Sequence, residues 1–153
     1  LGCPKYCPGF TCVDLYPIDD RVIRQEALDF LSAHRAELDH IYSKNMLEHV
    51  GNPLELLKRA YLSLKPGGAL IIITDNAEWL PFYLPFPLVH AGIGAHGARQ
   101  EEYLRHFGDR TTHYMIFTKA HLKSLLTAAG FRHITVRRMW RYAFARLYAQ
   151  AIK

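Results

Sequence analysis

The sequence predicts an α/β domain with a doubly wound, mostly parallel sheet that closes with a C-terminal antiparallel hairpin. A continuous apolar run at residues 69–74 indicates a strand buried on both faces, as parallel strands are. A helical pattern precedes this run, which is typical of a parallel crossover. Alternating apolar residues at 134–136 and again at 145–151 predict the hairpin. With 153 residues, half of them hydrophobic, the chain is expected to fold as one domain over 1–153.

The first part of the chain is predicted to contain short strands and one helix. Residues 10–15 are rich in β-formers and stop before Pro17, which favours a short strand. Residues 22–23 predict a second brief strand, and helical spacing predicts a helix over 29–37. Apolar and polar residues alternate over 38–43, as in a strand that leads into a loop.

A clearer helix follows this strand. Asn52 is a suitable N-cap, and Pro53 occupies the first helical position, where its missing N–H is tolerated. We expect Gly67 and Gly68 to end the helix, because glycine accepts the left-handed conformation that follows a last turn. The side chains predicted to face the core are Leu54, Leu57, Tyr61 and Leu64.

The second half begins with a segment of unusual composition. Residues 77–110 combine aromatic residues, prolines, glycines and histidines, which predicts a variable lid or substrate wall. A helix with Thr118 as its N-cap and Gly130 as its stop is predicted next. Its predicted core stripe consists of Leu122, Leu125, Leu126 and Ala129.

Charge is distributed unevenly along the chain. The net charge is +5, but residues 1–76 hold eight Lys and Arg against ten Asp and Glu, whereas residues 77–153 hold eleven against four. A basic half can attract a phosphorylated, carboxylated or nucleic-acid partner. A solvated basic surface accounts for the same charges equally well, so the partner stays open.

The cysteine pattern predicts reduced thiols in a cytoplasmic protein. Cys3, Cys7 and Cys12 are odd in number, and their spacing matches no common zinc or iron–sulfur signature. No metal site is therefore predicted, and the thiols are expected to be buried. No apolar run approaches the roughly 20 residues of a membrane helix. The chain opens without Met and without a signal-peptide pattern, and we expect its N-terminus to be trimmed.

Four segments resemble, in order, the motifs of class I S-adenosylmethionine-dependent methyltransferases of the methyltransferase type 11-like group. Leu-Gly-Cys at 1–3 is similar to the tail of the glycine-rich first motif, and Val13-Asp14 to the acidic end of the second strand. The stretch 41–50 resembles the fourth strand and the turn after it. Leu-Lys-Pro-Gly-Gly at 64–68 resembles the turn before the fifth strand. The family's first strand is missing before Leu1, so the chain is expected to be N-terminally incomplete.

The resemblance implies a Rossmann-like methyltransferase fold with S-adenosyl-L-methionine as cofactor, bound at the carboxyl ends of the strands. A glycine-rich turn lets the backbone approach the cofactor, and an acid that ends the second strand can accept both ribose hydroxyls. Several members of the most similar branch act on sugars or glycan precursors, which implies a small-molecule or glycan-type acceptor. The residues implied in cofactor binding are Gly2, Cys3, Asp14, Leu15, Glu26, Ser43, Lys44 and Asn45.

The acceptor side of the site is predicted from position and chemistry. Asp75 and Asn76 follow the apolar strand, and together with Trp79 they are expected to contact the substrate. His96 and His113 lie in the variable region that is expected to wall the substrate. They are the candidate catalytic bases, because histidine titrates near neutral pH.

An alternative function is a binding module that keeps the fold without turnover. Arginines of the basic half are interleaved with aromatic residues near the C-terminal hairpin, where they could hold a phosphate backbone and stack bases. They are Arg132, Arg137, Arg138, Arg141 and Arg146, with Trp140 and Tyr142. Nucleic acid is therefore a second candidate partner, and a homodimer stays open.

Overall fold

Two sheets organise the fold in this computed structural model, which describes residues 1–79 and 114–153. Two short strands, β1 (Val13–Asp14) and β2 (Ile23–Arg24), form a parallel pair. The larger sheet has four strands, β3 (Leu38–Lys44), β4 (Leu64–Asp75), β5 (Arg132–Arg138) and β6 (Arg146–Ile152), in the spatial order β3-β4-β6-β5. β3 and β4 are parallel, and β6 is antiparallel to both β4 and β5. The predicted α/β sheet with a C-terminal antiparallel hairpin is confirmed, and its four described strands form a mixed sheet.

β4 lies at the centre of the larger sheet because it is apolar on both faces. Leu70 and Ile72 face the core, and Ile73 on the opposite face is also buried. The strand bonds β3 along one edge and β6 along the other. The prediction that residues 69–74 form a central buried strand is therefore confirmed.

Three helices of the described residues, α1 (Ala27–Ala33), α2 (Pro53–Ser63) and α3 (Lys119–Ala128), pack against one another in that order. Asn52 Oδ1 accepts a hydrogen bond from the Glu55 N–H at 3.1 Å, so the predicted cap of α2 is confirmed. Thr118 Oγ1 likewise accepts from the His121 N–H at 3.0 Å. In this part of the chain, no helix combines the length and apolar character that a membrane span requires.

The predicted end of α2 at Gly67 and Gly68 is wrong. The helix ends at Ser63, and Leu64 already pairs with Leu38 as the first residue of β4. Leu64 is fully buried, because turning directly into the sheet carries its side chain into the core. Tertiary burial therefore ends the helix before the glycines are reached, and both glycines lie within β4.

α1 also ends earlier than predicted, at Ala33 rather than at residue 37. The N–H groups of Ala36 and Glu37 bond the carbonyls of Leu62 at 3.0 Å and Ser63 at 2.9 Å instead of continuing the helix. These bonds satisfy carbonyls at the end of α2 that have no partner within that helix. The docking of α1 against α2 thus sets the length of α1.

The predicted core stripes are correct in part. In α2, Leu57 is buried as predicted, whereas Leu54 and Tyr61 are only partly buried. The remaining buried positions of this helix are Pro53, Leu56, Ala60 and Ser63. In α3 and the residues after it, Leu122, Leu126 and Ala129 are buried, and Leu125 is partly buried.

The first two residues connect the two sheets. The Leu1 amino group donates a 2.6 Å hydrogen bond to the Tyr42 carbonyl of β3, and the Gly2 N–H donates to the Val13 carbonyl of β1 at 3.0 Å. Among the described residues, no strand pairs with the edge of β3 that faces away from β4.

Candidate active site

The carboxyl ends of β3 and β4 lie side by side at one edge of the larger sheet. Asn45, the residue after β3, bonds β4 through its N–H to the Ile73 carbonyl at 2.8 Å. β6 begins at the same edge, because Arg146 pairs with Asp75. Sheets with parallel strands bind ligands at such an edge, and the predicted residues after β3 and β4 are brought together there.

The turn at Gly2 packs against the loop that follows β3. Gly2 has φ +67°, and a Cβ at this position would lie 2.6 Å from the Met46 Cβ and 2.9 Å from its Cγ. Asn45, which precedes Met46, is also left-handed at φ +51°. The neighbouring Cys3 Sγ donates to the Lys5 carbonyl at 2.9 Å. The lack of a side chain at Gly2 therefore lets its backbone pack against Met46 in the loop after β3.

Two predicted acidic residues lie at the carboxyl ends of the strands of the small sheet. Asp14 ends β1, and its Oδ1 accepts a hydrogen bond from the Tyr16 N–H at 2.8 Å. The Leu15 carbonyl accepts from Arg24 Nε at 3.4 Å. Glu26 follows β2 at the N-cap position of α1. The carboxyl ends of both strands thus carry carboxylates, as the resemblance implies for a ribose and an adenine contact.

Ser43 and Lys44 point to opposite faces of β3. Ser43 is buried, and its Oγ has no hydrogen-bond partner among the described residues. It lines a small apolar cavity together with Leu57 and Ile72. Lys44 is exposed. The Ser43 side chain therefore faces the core, and its predicted contact with a cofactor would use the backbone.

A buried acidic network adjoins this edge, and the sequence analysis missed it. Glu48, in the 3-10 helical turn Leu47–His49, is 0% exposed and accepts a 2.7 Å hydrogen bond from Thr74 Oγ1. Burial raises the pKa of Glu48 to about 6, and the nearby Asp75 adds to the rise. Arg146 Nη1 lies 3.7 Å from Glu48 Oε1 and forms an ion pair with Asp75. Arg146 thus stands between two carboxylates.

The sequence does contain a signal for this network. Glu48 is a charged residue close to Met46, Leu47 and Val50, shortly after a parallel strand. A charge in such a position is usually buried with a partner. Arg146 carries a similar signal, because it opens a strand of alternating apolar residues.

Asn76 and Trp79 hold the turn between β5 and β6. Asn76 is fully buried; its Nδ2 donates to the Phe144 carbonyl at 2.7 Å, and its Oδ1 accepts from the Glu78 N–H at 3.1 Å. Trp79 Nε1 donates to the Ala143 carbonyl at 2.9 Å. Both polar groups of the Asn76 side chain are therefore engaged within the protein. The contacts of Asn76 and Trp79 with a substrate stay predictions.

The two predicted catalytic histidines, His96 and His113, lie outside the described residues, as does the predicted lid from residue 80 onward. The flanks of that segment are described. The Tyr114 N–H bonds the Glu48 carbonyl at 2.9 Å, and Asn76 forms a bridge with Phe117. Both flanks therefore meet at the candidate edge of the sheet.

The three cysteines are free thiols. Cys12 is buried as predicted, but Cys3 is half-buried and Cys7 is exposed, so the prediction of buried thiols is wrong for these two. The Cys7 backbone N–H donates a 3.2 Å hydrogen bond to Cys12 Sγ, which holds this loop in place. The Cys7 side chain is exposed to solvent. Within residues 1–79 and 114–153, no three His, Cys, Asp or Glu side chains are grouped so that they could hold a metal ion.

The chain matches a family model described as a methyltransferase domain over residues 3–136. No curated protein matches it in sequence. Among solved structures, it is similar to a SAM-dependent methyltransferase from Archaeoglobus fulgidus, with a TM-score of 0.58 and 16% identity over 86% of this chain and 67% of that chain. It is similar to a possible exported protein from Bordetella parapertussis, with a TM-score of 0.58 and 22% identity over 86% of this chain and 43% of that chain.

A third similar structure is phosphoethanolamine N-methyltransferase 2 of Haemonchus contortus in complex with S-adenosyl-L-methionine. Its TM-score is 0.57, with 15% identity over 89% of this chain and 38% of that chain. The present chain thus spans less than half the length of the Bordetella and Haemonchus proteins. At these identities the similarity establishes a shared Rossmann-like fold.

Proposed function

This chain belongs to the methyltransferase domain family, and from that membership we propose that it binds S-adenosylmethionine and transfers a methyl group to a small-molecule or glycan-type acceptor. S-adenosylmethionine, when bound, supplies a methyl group that its sulfonium charge already activates. The protein must then align donor and acceptor, which can remove a large part of the barrier. The free thiols support a cytoplasmic setting for this single domain.

The Gly2 turn is the observation that carries the proposal. Leu1 and Gly2 bond β3 and β1, and the chain turns at Gly2 with a left-handed φ of +67°. The cofactor needs a close backbone approach for its amino-acid tail and a carboxylate for its ribose. Gly2 and Asp14 fit these two needs. We assign the tail to Gly2, Cys3, Ser43, Lys44 and Asn45, the ribose to Asp14 and Leu15, and the adenine to Glu26.

The acceptor would bind at the edge where β4 ends. Asp75 lies there in an ion pair with Arg146, and we propose that it orients the acceptor. Residues 77–110 would form the wall of the pocket and exclude water. His96 or His113 would take the proton from an oxygen nucleophile.

Calorimetric titration with S-adenosylhomocysteine tests the proposal. Asp14→Asn should weaken binding by about 1–3 kcal/mol, because an amide cannot accept both ribose hydroxyls. Asp20→Asn removes an exposed carboxylate from the same loop, and its affinity should equal that of the original chain. No binding by the original chain at millimolar ligand would contradict the proposal.

A second candidate function is nucleic-acid binding without turnover, which the exposed Arg137 and Arg141 favour. Two of the other predicted arginines are engaged within the protein. Arg138 pairs with Glu78 at 3.2 Å, and Arg146 pairs with Asp75. Salt-sensitive binding of a mixed oligonucleotide, together with no binding of S-adenosylhomocysteine, would favour this function.

A further inference from the structure

The turn between β5 and β6 is held in a strained conformation. We call residues 139–145 the aromatic turn; it contains two consecutive left-handed residues, Ala143 at φ +46° and Phe144 at φ +65°. A non-glycine residue in this region costs about 1–2 kcal/mol. The buried Asn76 amide and the Trp79 indole bond the carbonyls of Phe144 and Ala143 at 2.7 and 2.9 Å. Strain that the surrounding structure maintains in this way is frequent at binding sites.

The aromatic turn exposes large apolar side chains. Trp140 is 78% exposed and Phe144 is 42% exposed, and their ring centroids lie 5.3 Å apart in a T-shaped contact. Tyr42 of β3 is another large side chain that is exposed, at 40%. Trp140 and Phe144 therefore form an exposed aromatic pair on the turn. Adjoining exposed apolar side chains indicate an interaction site more often than scattered ones do.

The same surface carries positive charge. Arg141 is exposed, with its Cζ 5.3 Å from the centroid of the Tyr142 ring, and Arg137 is exposed, with its Cζ 4.8 Å from that of Tyr148. Among the described residues, no acidic side chain forms a salt bridge with either arginine. The surface therefore complements an anion, and its rings complement a flat group.

The aromatic turn also adjoins the candidate acceptor edge, because the Asn76 N–H bonds the Ala145 carbonyl at 3.0 Å. We propose that the turn binds the methyl acceptor, and that the acceptor is a flat ring that carries a carboxylate or a phosphate. The ring stacks on Trp140, and the anion pairs with Arg141. Asn76 acts as a positioning residue. This inference rests on the proposed function, since it names the substrate class of the same site.

Binding of 1-naphthoate tests the inference without knowledge of the natural acceptor. The indole N–H signals of Trp79 and Trp140 can be followed by NMR in ¹⁵N-labelled protein, and Trp140→Phe assigns them. 1-Naphthoate should shift the Trp140 signal. 1-Naphthamide, the same ring without the charge, should bind about five- to tenfold more weakly.

Two variants separate recognition by the turn from general attraction to a basic protein. Arg141→Gln should weaken 1-naphthoate binding by about five- to tenfold and leave 1-naphthamide binding unchanged. Arg132→Gln is the matched control, because Arg132 is exposed at the opposite end of β5, and it should leave both affinities unchanged. An equal loss in the two variants, or a complex that leaves the Trp140 signal unmoved, would overturn the inference.

Two further measurements distinguish the remaining outcomes. A single-stranded oligonucleotide that binds through Arg141, while 1-naphthoate does not bind, would overturn the inference in favour of a nucleic-acid partner. S-adenosylhomocysteine should bind Arg141→Gln and the original chain equally well. If 1-naphthoate binds the turn but S-adenosylhomocysteine does not bind the chain, the proposed function fails and the anion-binding surface stands. If S-adenosylhomocysteine binds the chain but 1-naphthoate does not bind the turn, the proposed function stands and the inferred acceptor class is wrong.

Discussion

Gly2 lies so close to Met46 that a Cβ on Gly2 would sit 2.6 Å from the Met46 Cβ. Gly2→Ala should therefore lower the free energy of unfolding by about 2–4 kcal/mol, through the left-handed backbone and the forced displacement of Met46. Gly9 is the control, because it also has a left-handed φ, +83°, but open space around its Cβ position. Gly9→Ala should cost only about 1 kcal/mol in urea unfolding. Equal losses would show that the Met46 contact is unimportant.

Glu48 should make stability depend on pH. Its folded pKa of about 6 lies above its ordinary value of 4.5, so the folded protein binds this proton more tightly than the unfolded chain does. The resulting stabilisation is complete below the ordinary pKa and is lost as pH rises through the folded pKa. Its size is about 2 kcal/mol.

Glu48→Gln isolates this effect, because glutamine keeps the shape of the side chain and does not titrate. Between acidic and neutral pH, the free energy of unfolding of the original chain should fall by about 2 kcal/mol relative to that of the variant. Urea unfolding at the two pH values measures this difference. Glu37→Gln, at an exposed site, serves as the control. A difference between Glu48→Gln and the original chain that stays constant with pH would contradict the prediction.

Ser63 should stabilise the contact between α1 and α2. Its buried Oγ lies 2.6 Å from the Leu31 carbonyl of α1 and 2.8 Å from the Arg59 carbonyl of its own helix. Ser63→Ala should therefore cost about 1–2 kcal/mol in thermal or urea unfolding. Ser32 offers a matched exposed hydroxyl, 2.7 Å from the Leu28 carbonyl, and Ser32→Ala should change stability by about 0.5 kcal/mol at most. The opposite ranking would show that burial of the Ser63 hydroxyl adds nothing.

Asn76 should control the shape of the aromatic turn as well as overall stability. Asn76→Ala removes two hydrogen bonds made by a buried side chain and releases two left-handed residues, at a cost of about 2–4 kcal/mol. Amide exchange at residues 143–145 should accelerate, and the Trp140 indole signal should move. Asn52→Ala, which removes a helix cap, should cost about 1 kcal/mol and leave that signal in place. If the Trp140 signal is the same in both variants, Asn76 does not position the turn.

Sequence signals predicted the parts of the fold that local side-chain chemistry determines. Asn52 and Thr118 are caps because each side chain bonds an N–H three residues later, and residues 69–74 form the central strand because they are continuously apolar. The end of α2 was not predictable in this way. The helix ends because Leu64 is buried against the sheet, before the chain reaches Gly67. No local pattern shows that this burial, and not the glycine, ends the helix.

The same distinction between local and long-range determinants applies to the candidate site. Strand order alone brings the residues after β3 and β4 to one edge, so the approach of Asn45 to Ile73 was predictable. The contact of Asn76 with Phe144 joins residues 68 apart, and that of Glu48 with Thr74 joins residues 26 apart. Both require the register of strands that are distant in sequence, which side-chain patterns do not specify.

The strand order has a consequence for the way in which the chain folds. β6 follows β5 in sequence but lies between β5 and β4, and Arg146 meets Asp75 across a separation of 71 residues. Closing a loop of that length is slow, so one edge of β4 remains unpaired until β6 docks. An apolar strand with an open edge is a template for intermolecular pairing. The yield of refolded protein should therefore fall as the protein concentration during refolding is raised, because a second chain competes with β6 for that edge.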